Sequence, residues 1–286
     1  MDLPRSRRRY RVVDDIEEIQ EEPLPIPTPA QAVVEITHAG RSKLALGSEL
    51  IGQVIGAGPL AQDWIGRRVV VPRLLPCGEC DACRRNAIGR CPAAVGPEGL
   101  LSHRVVPARF LLDPINANER SPVSLLALID ALSTPYSGLA RAGLQAGDTL
   151  VCFGDDSRSQ AIQPLAEYLS AKLASASTSA AVVARRLVAT SPQEAALALS
   201  FALPGDVVVL LDGDIGSTAE RTIPDVTAGD LSVLTQGPVH PDLLPELDAL
   251  VASGALDLAE VGCEVDFGTF LRLHSGPRLS WASLPR

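Results

Sequence analysis

The sequence predicts an α/β plus β protein: a barrel-like β-domain that carries a cysteine lobe, followed by a shortened parallel-sheet domain. Three observations predict it. Through roughly the first 120 residues, short β-rich runs are cut repeatedly by Gly and Pro. Within that stretch, four of the six cysteines crowd into "PCGECDACRRNAIGRCP", Pro76–Pro92. From Ser121 onward the texture changes to apolar strands alternating with helices. The expected division is 1–122 for the β-domain with its lobe at 76–92, and 123–255 for the α/β domain. The segment 256–286 is expected to pack back on the first domain.

A chain of 286 residues is long enough for two domains with real cores. It opens on an arginine cluster, "MDLPRSRRRYRVV", followed by the acidic "DDIEEIQEE". An export signal would need an apolar core after the arginines, so no targeting segment is read and a cytoplasmic location is expected. Both charge runs read as solvated surface or a flexible arm. The net charge of −9 argues against a nucleic-acid partner. No apolar run is long enough to span a membrane. Cys152 and Cys263 stand alone and read as buried thiols.

The elements follow in order. "AVVEITHAG", "ELIGQVIGAG" and "RRVVVPRLL" are strands ended by turn formers. "SPVSLLALIDAL" is a helix with Ser121 as N-cap and Pro122 at its first position. "GDTLVCFG" is a buried strand. The helix "SQAIQPLAEYLSAKL" contains Pro164; an interior proline costs about 3 kcal/mol, so this helix bends or starts late. "SPQEAALALSFAL" has a capping box of Ser191 and Glu194 around Pro192. "GDVVVLLDG" and "LSVLTQG" are further strands, and "HPDLLPELDALVASG" is a helix that Gly254 stops.

Cys77, Cys80, Cys83 and Cys91 are spaced C-x2-C-x2-C-x7-C. Two-residue gaps let thiolates converge on one tetrahedral ion, at about 2.3 Å each. Four thiolates leave no open position, so the site holds structure rather than substrate. Around zinc they leave a local charge near −2, which Arg84, Arg85 and Arg90 are placed to offset. Pro76 and Pro92 stiffen the loop ends, while Gly78 and Gly89 permit tight turns. Such binding contributes about 10 to 16 kcal/mol in small peptides. A disulfide framework is disfavoured without a secretory signal. An iron–sulfur cluster uses similar ligands; one structural zinc ion is the favoured reading.

With that lobe behind a β-domain and ahead of an α/β domain, the chain resembles the zinc-containing medium-chain alcohol dehydrogenases. "LGSELIGQVIGAGPLAQDWIGRRVVVPRLLPCGECDACRRNAIGRCP" is similar to the family's stretch from its Gly-His-Glu motif into the zinc lobe. "LIDALSTPYSGLARAGLQAGDTLVCFG" is similar to its entry into the nucleotide domain. The Asp-Ala-x-x-Thr-Pro-Tyr form resembles the 6-hydroxycyclohex-1-ene-1-carbonyl-CoA dehydrogenases. The resemblance runs from Ala32 to Gly154 and is looser afterwards. It implies a GroES-like β-barrel domain, a Rossmann-like domain, NAD(P) as coenzyme and a second, catalytic zinc that polarises an alcohol oxygen.

The residues depart from that implication at three places. The Gly-His-Glu motif reads Gly47-Ser48-Glu49, so serine replaces the histidine ligand. The early ligand cysteine falls in "ITHAGRSK", where none exists. Only the third ligand position is kept, as Asp130. A replacement site of His38, Glu49 and Asp130 is conceivable, but His38 reads better as a strand-end histidine and Asp130 as a local hydrogen-bonding or capping residue. His103, His240 and His274 are scattered. If activity persists, Ser48, Glu49, Asp130 and Tyr136 are the candidates for proton transfer.

The phosphate turn should be glycine-rich at a helix N-terminus. Here it reads Gly154-Asp155-Asp156-Ser157-Arg158-Ser159. A carboxylate about 5 Å from a phosphate, at an effective dielectric near 20, repels it by roughly 3 kcal/mol. The acids make better sense as helix caps, and Arg158 reads as a surface arginine. The ribose-binding acid is missing, with Ala176 near its place. A strand–helix unit is shortened away between Ala171 and Ser191. NAD(P) binding is therefore doubtful.

The leading expectation is a catalytically silent relative that keeps fold and zinc. It would serve as a homo-oligomeric subunit, or one assembled with a related dehydrogenase or pathway enzyme. The strand "LSVLTQG" would be near the family's subunit contacts. The alternative is a divergent oxidoreductase acting on an alcohol or hydroxyacyl-CoA thioester. A ligand-binding module using the interdomain cleft is a third reading.

Overall fold

A computed structural model describes residues 3–13, 16–41, 49–72, 74–85, 88–96, 99–174, 185–211, 231–235, 244–258, 260–273 and 279–285. Its first two strands, β1 (Ser6–Val13) and β2 (Ile16–Pro23), form an antiparallel hairpin. Strand alternation puts Arg7, Arg9 and Arg11 on one face. Glu22 accepts from Arg7 Nε at 2.7 Å and from Arg9 Nε at 2.9 Å, and Glu18 lies 3.2 Å from Arg11. The two charge runs are thus each other's partners in a regular ladder, not a loose arm. The opposite face of β1 carries Tyr10, which is buried edge-on against Phe267. Charges along exposed β2 discourage further strands from pairing with its edge.

β3 (Gln31–Arg41), β4 (Glu49–Ala57) and β5 (Arg68–Val71) form an antiparallel meander. After β5 comes the cysteine lobe with its single-turn helix α1 (Asp81–Arg84). β6 (Leu100–Leu101) then pairs with β1, and β7 (His103–Pro107) pairs with the first half of β3. The expected barrel is not closed: the sheets are open. Closure needs an unbroken ladder from edge to edge. Among the described residues, the outer edge of β3 is divided between two short strands, and β5, at the far side, pairs only with β4 beyond a single bridge from Val70 to Leu112.

The second half begins with α2 (Pro122–Leu126) and α3 (Ser133–Arg141). The helix predicted over "SPVSLLALIDAL" ends early, at Leu126, and its second half at 127–132 is a run of turns leading into α3. β8 (Thr149–Phe153), α4 (Ser157–Tyr168), β9 (Lys172–Ala174), β10 (Arg186–Ala189), α5 (Pro192–Phe201), β11 (Val207–Leu210) and β12 (Ser232–Thr235) follow. All five strands are parallel, in the order β12-β11-β10-β8-β9. α4 starts at Ser157, upstream of Pro164, and runs through it; it does not start late. Ser191 caps α5 by accepting from the Glu194 N–H at 3.4 Å, as the capping box predicts. α6 (Leu244–Ala252) is followed by Gly254 at φ +75°.

The chain then returns. β13 (Gly262–Glu264), α7 (Phe267–Arg272) and β14 (Leu279–Ser283) complete the N-terminal sheet, with β14 pairing against the second half of β3. One apolar core joins the halves: Ile51, Val70 and Leu279 from this sheet meet Leu125, Leu128, Leu150 and Ile162. A second lies on the sheet's other face around Tyr10, Leu50 and Phe270, and a third beneath α5. Three buried Arg–Asp pairs stitch the α/β half: Arg120–Asp248, Arg158–Asp130 and Arg185–Asp206. Each leaves a costly charge if its partner is removed.

Candidate metal centre and filled cleft

The lobe leaves and re-enters the body at a bridge between Leu75 and Val95, closed by two backbone bonds of 3.0 and 2.9 Å. Between these points the four cysteine Sγ atoms all lie within 4.8 Å of one another. Cys77 and Cys83 sulfurs are 3.8 Å apart, and those of Cys80 and Cys83 are 3.5 Å apart. A tetrahedron with metal–sulfur bonds of 2.3 Å has edges of about 3.8 Å, whereas a disulfide needs about 2.05 Å. The donor set therefore fits one tetrahedral ion and not a disulfide pair. The local backbone serves the sulfurs too. Cys80 N–H donates to Cys77 Sγ and Cys77 N–H to Cys91 Sγ, each at 3.4 Å. N–H donation from Glu79 and Cys80 holds the Cys77 thiol down at about 6. Burial, with the neighbouring sulfurs adding, pushes the Cys83 thiol up to about 12. A dication at the centre would let all four exist as thiolates.

Two of the three arginines expected to offset that charge are committed elsewhere. Arg84 and Arg85 lie 3.5 and 3.7 Å from Asp81, exposed to solvent. The arginine that does touch the loop is Arg109, from a short turn at Ala108–Phe110; its Nη2 donates to the Cys77 carbonyl at 2.6 Å. Nothing in the local sequence signals this contact, because it spans 32 residues.

The residues where the resemblance implies a second zinc have a different content. Asp130 follows α2 and is 2% exposed. Arg158, on the first turn of α4, grips it with two parallel bonds: Nε to Oδ2 at 2.7 Å and Nη2 to Oδ1 at 3.0 Å. Arg158 Nη1 also donates to the Leu211 carbonyl at 3.2 Å, and the Thr134 hydroxyl donates to Asp130 Oδ1 at 3.0 Å. The reading of Arg158 as a surface residue is corrected: it is 5% exposed and bidentate on a carboxylate. Neither sequence reading of Asp130 foresaw this partner, because Arg158 lies 28 residues away and on another element.

Glu49 is wholly buried on β4 opposite Gly40. A Cβ at Gly40 would stand 2.8 Å from Glu49 Oε2, so only glycine leaves the carboxylate its room. Ser48 lies outside the described residues. His38 is half-buried on β3, with Nδ1 3.0 Å from Thr37 Oγ1 and its ring 5.8 Å from that of Trp281. Burial, helped by the Arg68 charge, lowers its pKa. Among the described residues only the four cysteines gather as a metal-binding group, so the conceivable set of His38, Glu49 and Asp130 is not brought together. Tyr136 donates its hydroxyl to Glu246 of α6 at 2.7 Å; burial and that carboxylate push it up to about 12.

At the turn between β8 and α4, Gly154 has φ +152°, and a Cβ there would fall 2.2 Å from Thr190 Oγ1. The first glycine is kept because β8 and the end of β10 approach each other so closely. Asp156 is the N-cap of α4: its Oδ1 accepts from Ser159 N–H at 3.1 Å, and the Ser159 hydroxyl donates to its carbonyl at 2.7 Å. Asp155 is exposed, and it is Asp156 that holds the cap position. The Ser157 and Thr190 hydroxyls are buried with no hydrogen-bond partner. Cys152 is half-buried, and burial first, then Asp156 and Glu194, push it up to about 12. Cys263 is exposed, against expectation. Ala176, His240 and His274 lie outside the described residues.

Comparison with known proteins gives the fold a family setting. Residues 28–115 match the alcohol dehydrogenase GroES-like domain. The erythritol/L-threitol dehydrogenase of Mycolicibacterium smegmatis is 25% identical over 236 residues, an alignment that covers 78% of this chain and 58% of that enzyme's length. The crystal structure of galactitol-1-phosphate dehydrogenase from Escherichia coli superposes with a TM-score of 0.80 at 15% identity, covering 96% of this chain and 99% of that one. A zinc-binding dehydrogenase from Sinorhizobium meliloti 1021, bound to NADP, gives 0.73 at 17% identity over 98% and 99%.

Proposed function

We propose that this chain, whose fold and GroES-like domain are those of the zinc-type medium-chain alcohol dehydrogenases, is a catalytically silent member that binds one structural zinc and acts as an assembly subunit. The observation that carries this reading is the Arg158–Asp130 pair. In a working member of the family, a carboxylate at this position would help hold a dication. Here a guanidinium from the nucleotide-side helix neutralises it, with two bonds and a third to the chain. A metal ion entering that site would have to displace a buried, bidentate cation. Asp156 and Asp155 add negative charge where coenzyme phosphates would approach.

The tetrathiolate would hold the lobe together and take no part in chemistry, since four cysteines leave no position for a substrate oxygen. In the assembly role, the outer edge of β12 is the natural contact. It is the last strand of the parallel sheet among the described residues, and Val233 on it is exposed. The partner is a second copy or a related dehydrogenase. Metal analysis and native mass test the reading together: one zinc per chain in a particle larger than a monomer supports it. Two zincs per chain, or a monomer at all concentrations, contradicts it.

A second reading, a divergent NAD(P)-dependent oxidoreductase acting on an alcohol or hydroxyacyl-CoA thioester, draws on one observation. The Ser157 and Thr190 hydroxyls are buried without partners beside the α4 N-terminus, where a phosphate oxygen would satisfy them.

A further inference from the structure

We infer that Arg109 is the positioning residue of the cysteine centre, a residue outside the ligand loop that sets the geometry of its first thiolate. The inference rests on the zinc reading above. Cys77 is the hub of the loop. Its N–H donates to Cys91 Sγ, its own Sγ accepts from Cys80 N–H, and its carbonyl is taken by Arg109 Nη2 at 2.6 Å. Fixing that carbonyl fixes the Cys77–Gly78 peptide plane, and hence the direction from which the next N–H groups reach Cys77 Sγ.

The clamp has a built roof. The Arg109 guanidinium lies 4.7 Å from the centroid of the Phe110 ring, and Phe110 is buried. Gly78, at φ +83°, passes directly beneath: a Cβ there would meet Arg109 Nη2 at 3.4 Å and Phe110 Cζ at 3.7 Å. The turn that carries Arg109 is itself anchored, since Ala108 N–H donates to Ala30 at the root of β3. The β-sheet thus reaches into the lobe through one side chain. Lysine, with one flexible ammonium, keeps the charge and the carbonyl bond but loses the planar stack on Phe110.

Outer partners of metal ligands typically account for about 10- to 100-fold in metal affinity. The test is chelator competition for zinc on the full chain, comparing wild type with Arg109→Gln, Arg109→Lys and the control Arg84→Ala. The cobalt-substituted proteins provide thiolate-to-metal charge-transfer bands as a second readout. The expected result is zinc affinity lowered about tenfold or more by Arg109→Gln, partial recovery with lysine, and Arg84→Ala within about twofold of wild type. The cobalt bands of Arg109→Gln should shift while still reporting four sulfurs. Equal zinc affinity for wild type and Arg109→Gln overturns the role of Arg109 and leaves the zinc reading standing. A wild-type chain that binds no zinc overturns both. Should Arg109→Gln fail to fold, Arg109→Met keeps the side chain's length against Phe110 while deleting the donor to Cys77, and unchanged affinity there also overturns it.

Discussion

Replacing Arg158 with methionine retains most of the side chain's length while deleting its charge. Two bonds to Asp130, at 2.7 and 3.0 Å, disappear, and the Leu211 carbonyl loses a donor at 3.2 Å. The Thr134 hydroxyl stays, but the carboxylate remains almost wholly enclosed without its guanidinium. Breaking a buried ion pair from one side costs about 3–5 kcal/mol. At about 2–4 °C per kcal/mol for a chain of roughly this size, Tm should fall by about 10 °C. The double variant Arg158→Met, Asp130→Leu removes both charges and should recover most of the loss, because paired apolar replacements are often neutral or better. Thermal melts followed by circular dichroism, on wild type, both single variants and the double, give the coupling directly. In Arg158→Met the abandoned carboxylate folds more easily when protonated, so the gap to wild type should narrow in acid. An Arg158→Met protein that melts within about 2 °C of wild type means the pair does not hold the α/β half together, as does strict additivity of the two single variants.

Asp156→Ala removes the α4 cap and should lower stability by about 1 kcal/mol in urea titration while leaving metal content unchanged; no loss would contradict its capping role. Asp206 is pushed up by burial, but its bonds from Arg185 and from the Leu203 and Arg185 N–H groups outweigh this and hold its carboxyl below the ordinary range. A depressed folded pKa contributes stability above the unfolded value of about 3.9 and loses it as pH falls through the folded one. The urea midpoints of wild type and Asp206→Asn should therefore converge in acid, and a gap independent of pH would count against the assignment. Cys91→Ser, at a buried sulfur, should abolish retained zinc by elemental analysis; one zinc per chain in that variant would mean a different donor set.

The gathering of the four cysteine sulfurs was legible because the cysteines lie within fifteen residues and two-residue gaps admit few geometries. The α5 capping box was legible for the same reason: Ser191 and Glu194 are local. The parallel direction of β8, β11 and β12 followed from alternating strands and helices, but β10 did not: it lies between Ala171 and Ser191, where a strand–helix unit was expected to be missing. What escaped was long-range. Arg158 meets Asp130 across 28 residues, and Arg109 meets Cys77 across 32; both arginines look like ordinary surface residues in one dimension. The hairpin of β1 and β2 escaped for another reason: its strands alternate charge with charge, and only the cross-strand register shows that Arg7 and Arg9 share Glu22. The barrel failed because the strand signals give number and length but not whether the outer edges meet.

The proposed silent reading puts a guanidinium and two carboxylates where metal and coenzyme would act in the zinc-type dehydrogenases. Titration of the purified chain with NADH and NADPH, followed by coenzyme fluorescence, tests it most directly. No saturable binding is expected up to about 1 mM, weaker than roughly −4 kcal/mol. Stoichiometric binding of either coenzyme at micromolar concentration would contradict it.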